Sequence, residues 1–271
     1  MKRAIFLMLI ISHLASGQSI DQTFAFANSL LENGRYQEAV ESYKRVLFFD
    51  QDEVYGPKVY RNIADCLYQT GAFGEAAYYY DLAYFTSPSE RAKVEVSLQK
   101  TSCHLILGEY NQAQTELFNI PERLPQELLE QKIFYEALLS FALNDFDKAE
   151  KLFKKVASDT LEVERIFDKN AKIDRLKPKT AKTLSVILPG LGQFYAGDIK
   201  NGLNSLLLTG GLMFIGIRSA INTSFIDAAI SVLPWFQRYY TGGYKKAEVI
   251  AEAKIKERRY KAFNELLDLV E

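Results

Sequence analysis

The chain has 271 residues, with 33 Lys+Arg against 34 Asp+Glu, a formal net charge of −1 and 48% hydrophobic side chains. That length suits one or two domains, and the only two cysteines, Cys66 and Cys103, exclude a disulfide framework. The histidines are His13 and His104; one of them falls in an expected leader, and the other alone argues against zinc sites and His-based catalysis.

That leader is the first element. Lys2 and Arg3 precede an apolar run from Ala4 to Leu14, and the small residues Ala15, Ser16 and Gly17 follow. This is the layout of a secretory signal peptide, expected over residues 1–17. An apolar run of about 11 residues is well short of the roughly 20 that span a bilayer, so an uncleaved anchor is the weaker reading. No cysteine lies near the expected cleavage site, so a bacterial lipid-anchored protein is not expected. Charge then divides the remainder. Residues 18–159 hold 14 Lys+Arg and 22 Asp+Glu, a net of −8, whereas residues 160–271 hold 17 and 12, a net of +5. Such asymmetry fits halves facing different surroundings, here solvent and a membrane surface.

Within residues 18–159 four stretches align: "NGRYQEAVESYKRVL" from Asn33, "TGAFGEAAYYYDLAY" from Thr70, "LGEYNQAQTELFNIP" from Leu107 and "LNDFDKAEKLFKKVA" from Leu143. Their turn residues Gly34, Gly71, Gly108 and Asn144 are spaced 37, 37 and 36 apart. Each is followed by an aromatic (Tyr36, Phe73, Tyr110, Phe146) and then by an alanine (Ala39, Ala76, Ala113, Ala149). Glycine or asparagine tolerates the left-handed conformation that ends a helix. The aromatic is expected to fill the wedge between two helices, and the alanine to allow close backbone approach. Ala27 and Ala64 supply small residues on the first helices, and Tyr43, Tyr80 and Phe153 plug the second. Cys66 and Cys103 occupy equivalent positions in neighbouring units. Helix spacing of about 8–10 Å exceeds disulfide reach, so both read as small core residues.

These residues resemble a tetratricopeptide array of helix–turn–helix units. Unit two matches best, through Ala64, Gly71, Phe73, Ala76, Tyr80, Ala83 and Pro88; unit three departs most, at Thr101 and Leu117. The resemblance implies a concave face of first helices that serves as a peptide groove. Mapped here, the groove comprises Phe24, Asn28 and Leu31; Lys58, Arg61, Asp65 and Tyr68; Leu98, Ser102 and Leu105; and Phe134, Leu138 and Phe141. The expected occupant is a protein partner, an apolar helix or an extended peptide. The competing reading is that the array's own neighbouring helices cover much of this face. Family members that bind chaperones clamp a carboxylate with cations and asparagines. Asn28 and Asn62 hold two clamp positions, but Phe24, Glu95 and Gln99 stand where cations are needed, so no clamp is expected.

Residues 160–182 read as a charged helical linker whose Ile166, Ile173 and Leu176 could cap the last unit. Three apolar stretches follow: Leu184 to Ala196, Leu203 to Ile217 (extendable to Ile221), and Phe225 to Phe236. A soluble core is one reading of runs this short. Their clustering, the flanking lysines and arginines, and the aromatics Trp235, Tyr239, Tyr240 and Tyr244 at one edge favour a membrane domain over residues 183–244. Within it, "LPGLGQFYAGDIKNG" resembles a signature P-G-x-G-Q-x-Y-x-G of small bacterial membrane domains of unassigned function, through Pro189, Gly190, Gly192, Gln193, Tyr195 and Gly197. Those breakers are expected to build a compact hairpin by close helix approach. Three crossings fit the positive-inside tendency better than two. Arg218 and Asp227 are candidate intramembrane charges; Arg218 also fits a loop edge, and Asp227 could pair with Arg218 or Arg238. Residues 245–271 read as a basic amphipathic helix with Val249, Ala253, Tyr260, Phe263, Leu267 and Val270 along one side, lying on anionic lipid or forming a coiled coil.

The expected fold is therefore all-α: a four-unit solenoid, a short transmembrane hairpin or bundle, and a C-terminal amphipathic helix. No phosphate-binding loop, nucleophile–base pair or metal-ligand spacing is present. The expected function is a non-enzymatic scaffold of the bacterial envelope, anchored in the inner membrane with its array in the periplasm. It binds a protein partner and membrane lipid, and calls for no metal, cofactor, nucleic acid or small-molecule substrate. The alternative is a subunit of a transport or catalytic complex that works through the membrane hairpin.

Overall fold

Helix after helix in the first half ends on a residue with positive φ, and the computed structural model shows what these residues do. It describes residues 19–52 and 54–270, so the expected leader at 1–17 lies outside the described residues. The chain forms two compact units, the first ending at Val156 and the second beginning at Ala157. No strand occurs among the described residues.

The first unit is four helical hairpins: α1 (Ile20–Glu32) with α2 (Tyr36–Phe49), α3 (Gly56–Gln69) with α4 (Phe73–Thr86), α5 (Glu90–Leu107) with α6 (Tyr110–Asn119), and α7 (Gln126–Ala142) with α8 (Phe146–Val156). Gly34, Gly71 and Gly108 adopt φ of 70°, 79° and 73°, and Asn144 adopts 62°. At the first turn the Gly34 amide reaches back to the Leu31 carbonyl at 3.0 Å, and the Arg35 amide to Leu30 at 2.9 Å. The same pair recurs at Gly71 and Ala72, Gly108 and Glu109, and Asn144 and Asp145. These are Schellman caps, which satisfy carbonyls that a helix end would otherwise leave unpaired.

Packing follows from the caps. Ala27, Ala39, Ala64, Ala76, Ala113 and Ala149 are fully buried, as are Tyr43 and Phe153. The aromatics after each turn (Tyr36, Phe73, Tyr110 and Phe146) are only half-buried, so they close the wedge from one side. Thr101 and Leu117, the departures of unit three, are buried in the same places. Cys66 and Cys103 are buried free thiols. Burial pushes the Cys66 thiol up to about 11 and the Cys103 thiol up to about 12, which leaves both protonated and unreactive at neutral pH.

The second unit comprises α9 (Thr160–Ile173), α10 (Pro178–Ile187), α11 (Leu191–Tyr195), α12 (Ile199–Asn222), α13 (Phe225–Ser231) and α14 (Leu233–Leu267). Several sequence expectations shift here. The linker of residues 160–182 is α9 plus the start of α10, and α9 packs on α14 inside this unit. The first apolar stretch is divided between α10 and α11 by the turn at Pro189 and Gly190, so it makes no span. The third is divided at Val232, and its second part runs on as α14. The boundary expected at 244/245 therefore falls inside one helix of 35 residues. In the tail, Ala247, Ala251, Ala262 and Leu266 are buried, while Val249 and Tyr260 are exposed, so the packed side is offset from the expected apolar side. Alanines lie there because α10 comes close: Ala181, Ala196, Ala247 and Ala251 share one cluster with Leu176. Among the described residues one helix, α12, is long and apolar enough to cross a membrane.

The cap geometry sets a direct expectation. A Cβ at Gly71 would meet nothing within 4 Å, so Gly71→Ala suffers only left-handed strain, about 1–2 kcal/mol. Asn144→Gly relieves part of that strain in unit four. Urea titrations followed by helical circular dichroism are expected to show a lowered midpoint for the first substitution and an unchanged or raised midpoint for the second.

Candidate functional site

Two places gather the residues singled out in the sequence. The first is the face of α1, α3 and α5. Asn28 and Asn62 both serve Tyr43: its hydroxyl donates to Asn28 Oδ1 at 2.6 Å and accepts from Asn62 Nδ2 at 2.9 Å. One unit later the Tyr80 hydroxyl donates to Asp65 Oδ1 at 2.7 Å, the same contact displaced by 37 residues. Unit three has Leu117 where the tyrosine would be, and Ser102 pairs instead with the Tyr68 hydroxyl at 2.7 Å. Arg61 Nη1 lies 2.9 Å from Glu95 Oε2, and Arg91 Nε lies 3.0 Å from Glu95 Oε1. Burial raises the Glu95 carboxyl, but the two guanidiniums outweigh it and hold the group below the usual carboxylate range.

This network decides which predicted groove residues remain open. Arg61, Asp65 and Tyr68 line a pocket of about 380 Å³ together with Leu31, Gln69 and Gln99. Lys58 is exposed, and Asn28 and Phe134 are half-buried, Phe134 packing edge-on against Phe153. Ser102 and Phe141 are buried among the helices, as is Leu98, so the open surface is more polar than the apolar groove expected. Sequence register placed Gln99 at a clamp position but missed Gln69 as a lining residue, whose only signal was polarity at a position flanking the first-helix face.

Asp65 is the distinctive group. Burial pushes its carboxyl above the usual range, with the Tyr80 hydroxyl and Arg61 opposing. A raised folded value means that Asp65 favours folding most at low pH, and that this contribution is lost as pH rises through the folded value. The equivalent residue of unit one is Asn28, which makes the same hydrogen bond uncharged. Asp65→Asn is therefore expected to match or exceed the wild-type urea midpoint at neutral pH, with an advantage that shrinks as pH falls.

The second place is the signature segment. Gly190, with φ of 95°, turns the chain from α10 into α11; a Cβ there would lie 2.4 Å from the Gly202 carbonyl oxygen. Pro189 precedes it in the same turn. A Cβ at Gly192 would lie 1.8 Å from the Ala181 carbonyl oxygen. Gln193 is 1% exposed. Its Oε1 accepts from Ser185 Oγ at 2.7 Å and its Nε2 donates to the Gly243 carbonyl at 2.9 Å, tying α10 to α14 through α11. The Tyr195 hydroxyl donates to the Arg175 carbonyl at 2.8 Å. Gly197, with φ of 81°, makes a fifth Schellman cap. Asp198 then caps α12, accepting from the Asn201 amide at 3.0 Å. Every signature residue thus shapes or ties a joint. Arg218 and Asp227 are exposed, and no ion pair joins either to another described residue. Asp227 sits in the first turn of α13, where a negative charge suits the helix dipole.

With the geometry in place, comparison with known families is informative for the first unit. Residues 24–91 match the tetratricopeptide repeat family. The match covers the first two hairpins, and the caps and alanine contacts carry the same geometry through units three and four. Tetratricopeptide repeats are generally non-catalytic scaffolds for protein–protein interaction. No curated protein and no solved structure matches the chain. No cluster of three or more His, Cys, Asp or Glu side chains suited to a metal occurs among the described residues.

Gln193 and Gly192 are open to test together. Gln193→Leu removes two hydrogen bonds, worth about 1–3 kcal/mol when a buried partner is left unpaired. Gly192→Ala forces α10 and α11 apart. Both are expected to lower the melting temperature of the detergent-purified chain. Gly210→Ala is the control and should not, because a Cβ there meets nothing within 4 Å.

Proposed function

We propose that this chain is a membrane-tethered adaptor: an array of tetratricopeptide repeats that receives an extended segment of a protein partner, held at a bilayer by the second unit. The observation that carries the tether is α12. It has 24 residues, is long and apolar enough to cross a membrane, and is almost wholly unburied along its apolar stretch. Leu207, Phe214, Ile217 and Ile221 on this helix are all more than half exposed, as are Phe225, Ile226 and Ile230 on α13. An exposed apolar surface of this extent marks a membrane or partner interface. The leader-like residues from Lys2 to Gly17 support export, and on this reading the array works in the periplasm of a bacterial envelope with its tether in the inner membrane.

The array's share of the work lies on the face lined by Arg61, Asp65, Tyr68 and Gln99. It offers amide and hydroxyl partners for a peptide backbone, with Leu31 and Tyr36 as apolar ground. A carboxylate clamp does not fit, since Asn28 and Asn62 are both committed to Tyr43. A role in envelope assembly or membrane-protein biogenesis suits such an adaptor.

Two measurements test this reading. After alkaline carbonate washing, the chain is expected in the membrane pellet; its appearance in the supernatant removes the tether. Partners co-purified from native membranes are expected to fall at least about tenfold with Arg61→Ala combined with Gln99→Ala, which shorten two pocket-lining side chains outside the buried core and release the partly exposed Arg61–Glu95 pair. Asp227→Asn should leave capture and complementation of a deletion intact, and a dead Asp227→Asn variant with normal capture would move the function to the membrane unit.

A further inference from the structure

We propose that the second unit binds a phosphate-bearing anion in a pocket between α12 and α14. The pocket has a volume of about 390 Å³. Asn201, Ser205 and Thr209 line it from α12, and Arg238, Gly242 and Lys246 line it from α14. No Asp or Glu side chain is among its lining residues.

Three observations point to a ligand. First, the Ser205 and Thr209 hydroxyls are buried without any hydrogen-bond partner, and Thr209 is only 2% exposed. Helical Ser and Thr normally close a bond to the carbonyl four residues back. Elsewhere in this chain Thr101 does so at 2.8 Å, Thr115 at 2.9 Å and Ser140 at 2.7 Å. The two hydroxyls facing the pocket do not, so their hydrogen-bonding capacity is left for something inside it. Second, the pocket carries two cations. Arg238 forms no ion pair among the described residues, and Lys246 donates one bond, to Asn201 Oδ1 at 2.7 Å, which leaves its other protons available. Third, α14 makes room. A Cβ at Gly242 would meet nothing within 4 Å, whereas one at Gly243 would fall 2.7 Å from Ser205 Oγ, so these two glycines give the pocket its space and its floor.

The donor set selects the ligand class. A guanidinium fork, an ammonium and two hydroxyls approach from two helices and different directions. That suits a tetrahedral anion with several acceptor oxygens better than a planar carboxylate. Arg238 and Lys246 stand eight residues apart on α14, about 12 Å of helical rise, a gap that their long side chains can close. A phospholipid headgroup and a soluble phosphate ester share this chemistry. The site does not depend on α12 lying in lipid.

The test uses the full chain in phosphate-free detergent, titrated with inorganic phosphate. In parallel, the chain is reconstituted in phosphatidylcholine vesicles with and without phosphatidylglycerol. Saturable binding or thermal stabilisation is expected with at least one probe. It should weaken at least about tenfold in Thr209→Val and in Arg238→Gln, while Lys245→Gln, an equal charge loss outside the pocket, changes it little. Thr209→Val keeps the side chain's shape, and its ligand-free melting temperature should match or exceed wild type. A response to phosphatidylglycerol alone supports the site as a headgroup site, and a response to inorganic phosphate supports it as a site for a soluble ester. No saturable response to either probe overturns the proposal. So does a response that Lys245→Gln lowers as much as Arg238→Gln while Thr209→Val leaves it unchanged.

Discussion

A helix that doubles back within three residues leaves carbonyls unpaired unless one residue enters the left-handed region. The described residues meet that requirement five times with one device. Gly34, Gly71, Gly108, Asn144 and Gly197 all carry positive φ, and each turn closes with the same two backward hydrogen bonds. In the first unit the device sets the angle at which paired helices meet, which brings Ala39, Ala76, Ala113 and Ala149 into full burial. In the second it redirects the chain from α11 into α12.

Much of the polar character of the array's open face is engaged within the array. Tyr43 with Asn28 and Asn62, Tyr80 with Asp65, Tyr68 with Ser102, and Arg61 with Glu95 link first helices to their own second helices and to the next unit. The Arg61–Glu95 pair is partly exposed, and pairs of that kind contribute little to stability. The buried hydroxyl contacts matter more, because removing one partner leaves the other unsatisfied. The face is held in shape before any partner arrives, which reduces the ordering cost of binding.

The repeat was legible because its turn residues, wedge aromatics and alanines recur at a fixed spacing, and each has one mechanical role. The candidate groove was legible only in outline. Register named Arg61, Asp65 and Tyr68, which line one pocket, but could not show that Ser102 and Phe141 are buried, since coverage depends on the rise between units. The second unit was harder. The boundary drawn at 244/245 falls inside α14, which also passes through Gly242 and Gly243, because glycine in a helix is a modest penalty and Gly243 packs closely against Ser205. The tail's packed side was missed because Ala247 and Ala251 look like neutral helix formers, although they are the residues buried in the cluster with Ala181 and Leu176. The signature's glycines were read as aids to close approach, and that is how Gly190 and Gly192 function.

At Gly192 the Ala181 carbonyl oxygen occupies the space that any side chain would need. Two main chains therefore bear directly on one another there, with no rotamer available to cushion the joint. The separation of α10 and α11 is a fixed gauge, set by atomic radii. Neither helix can move closer to the other at that bearing, because it cannot be compressed.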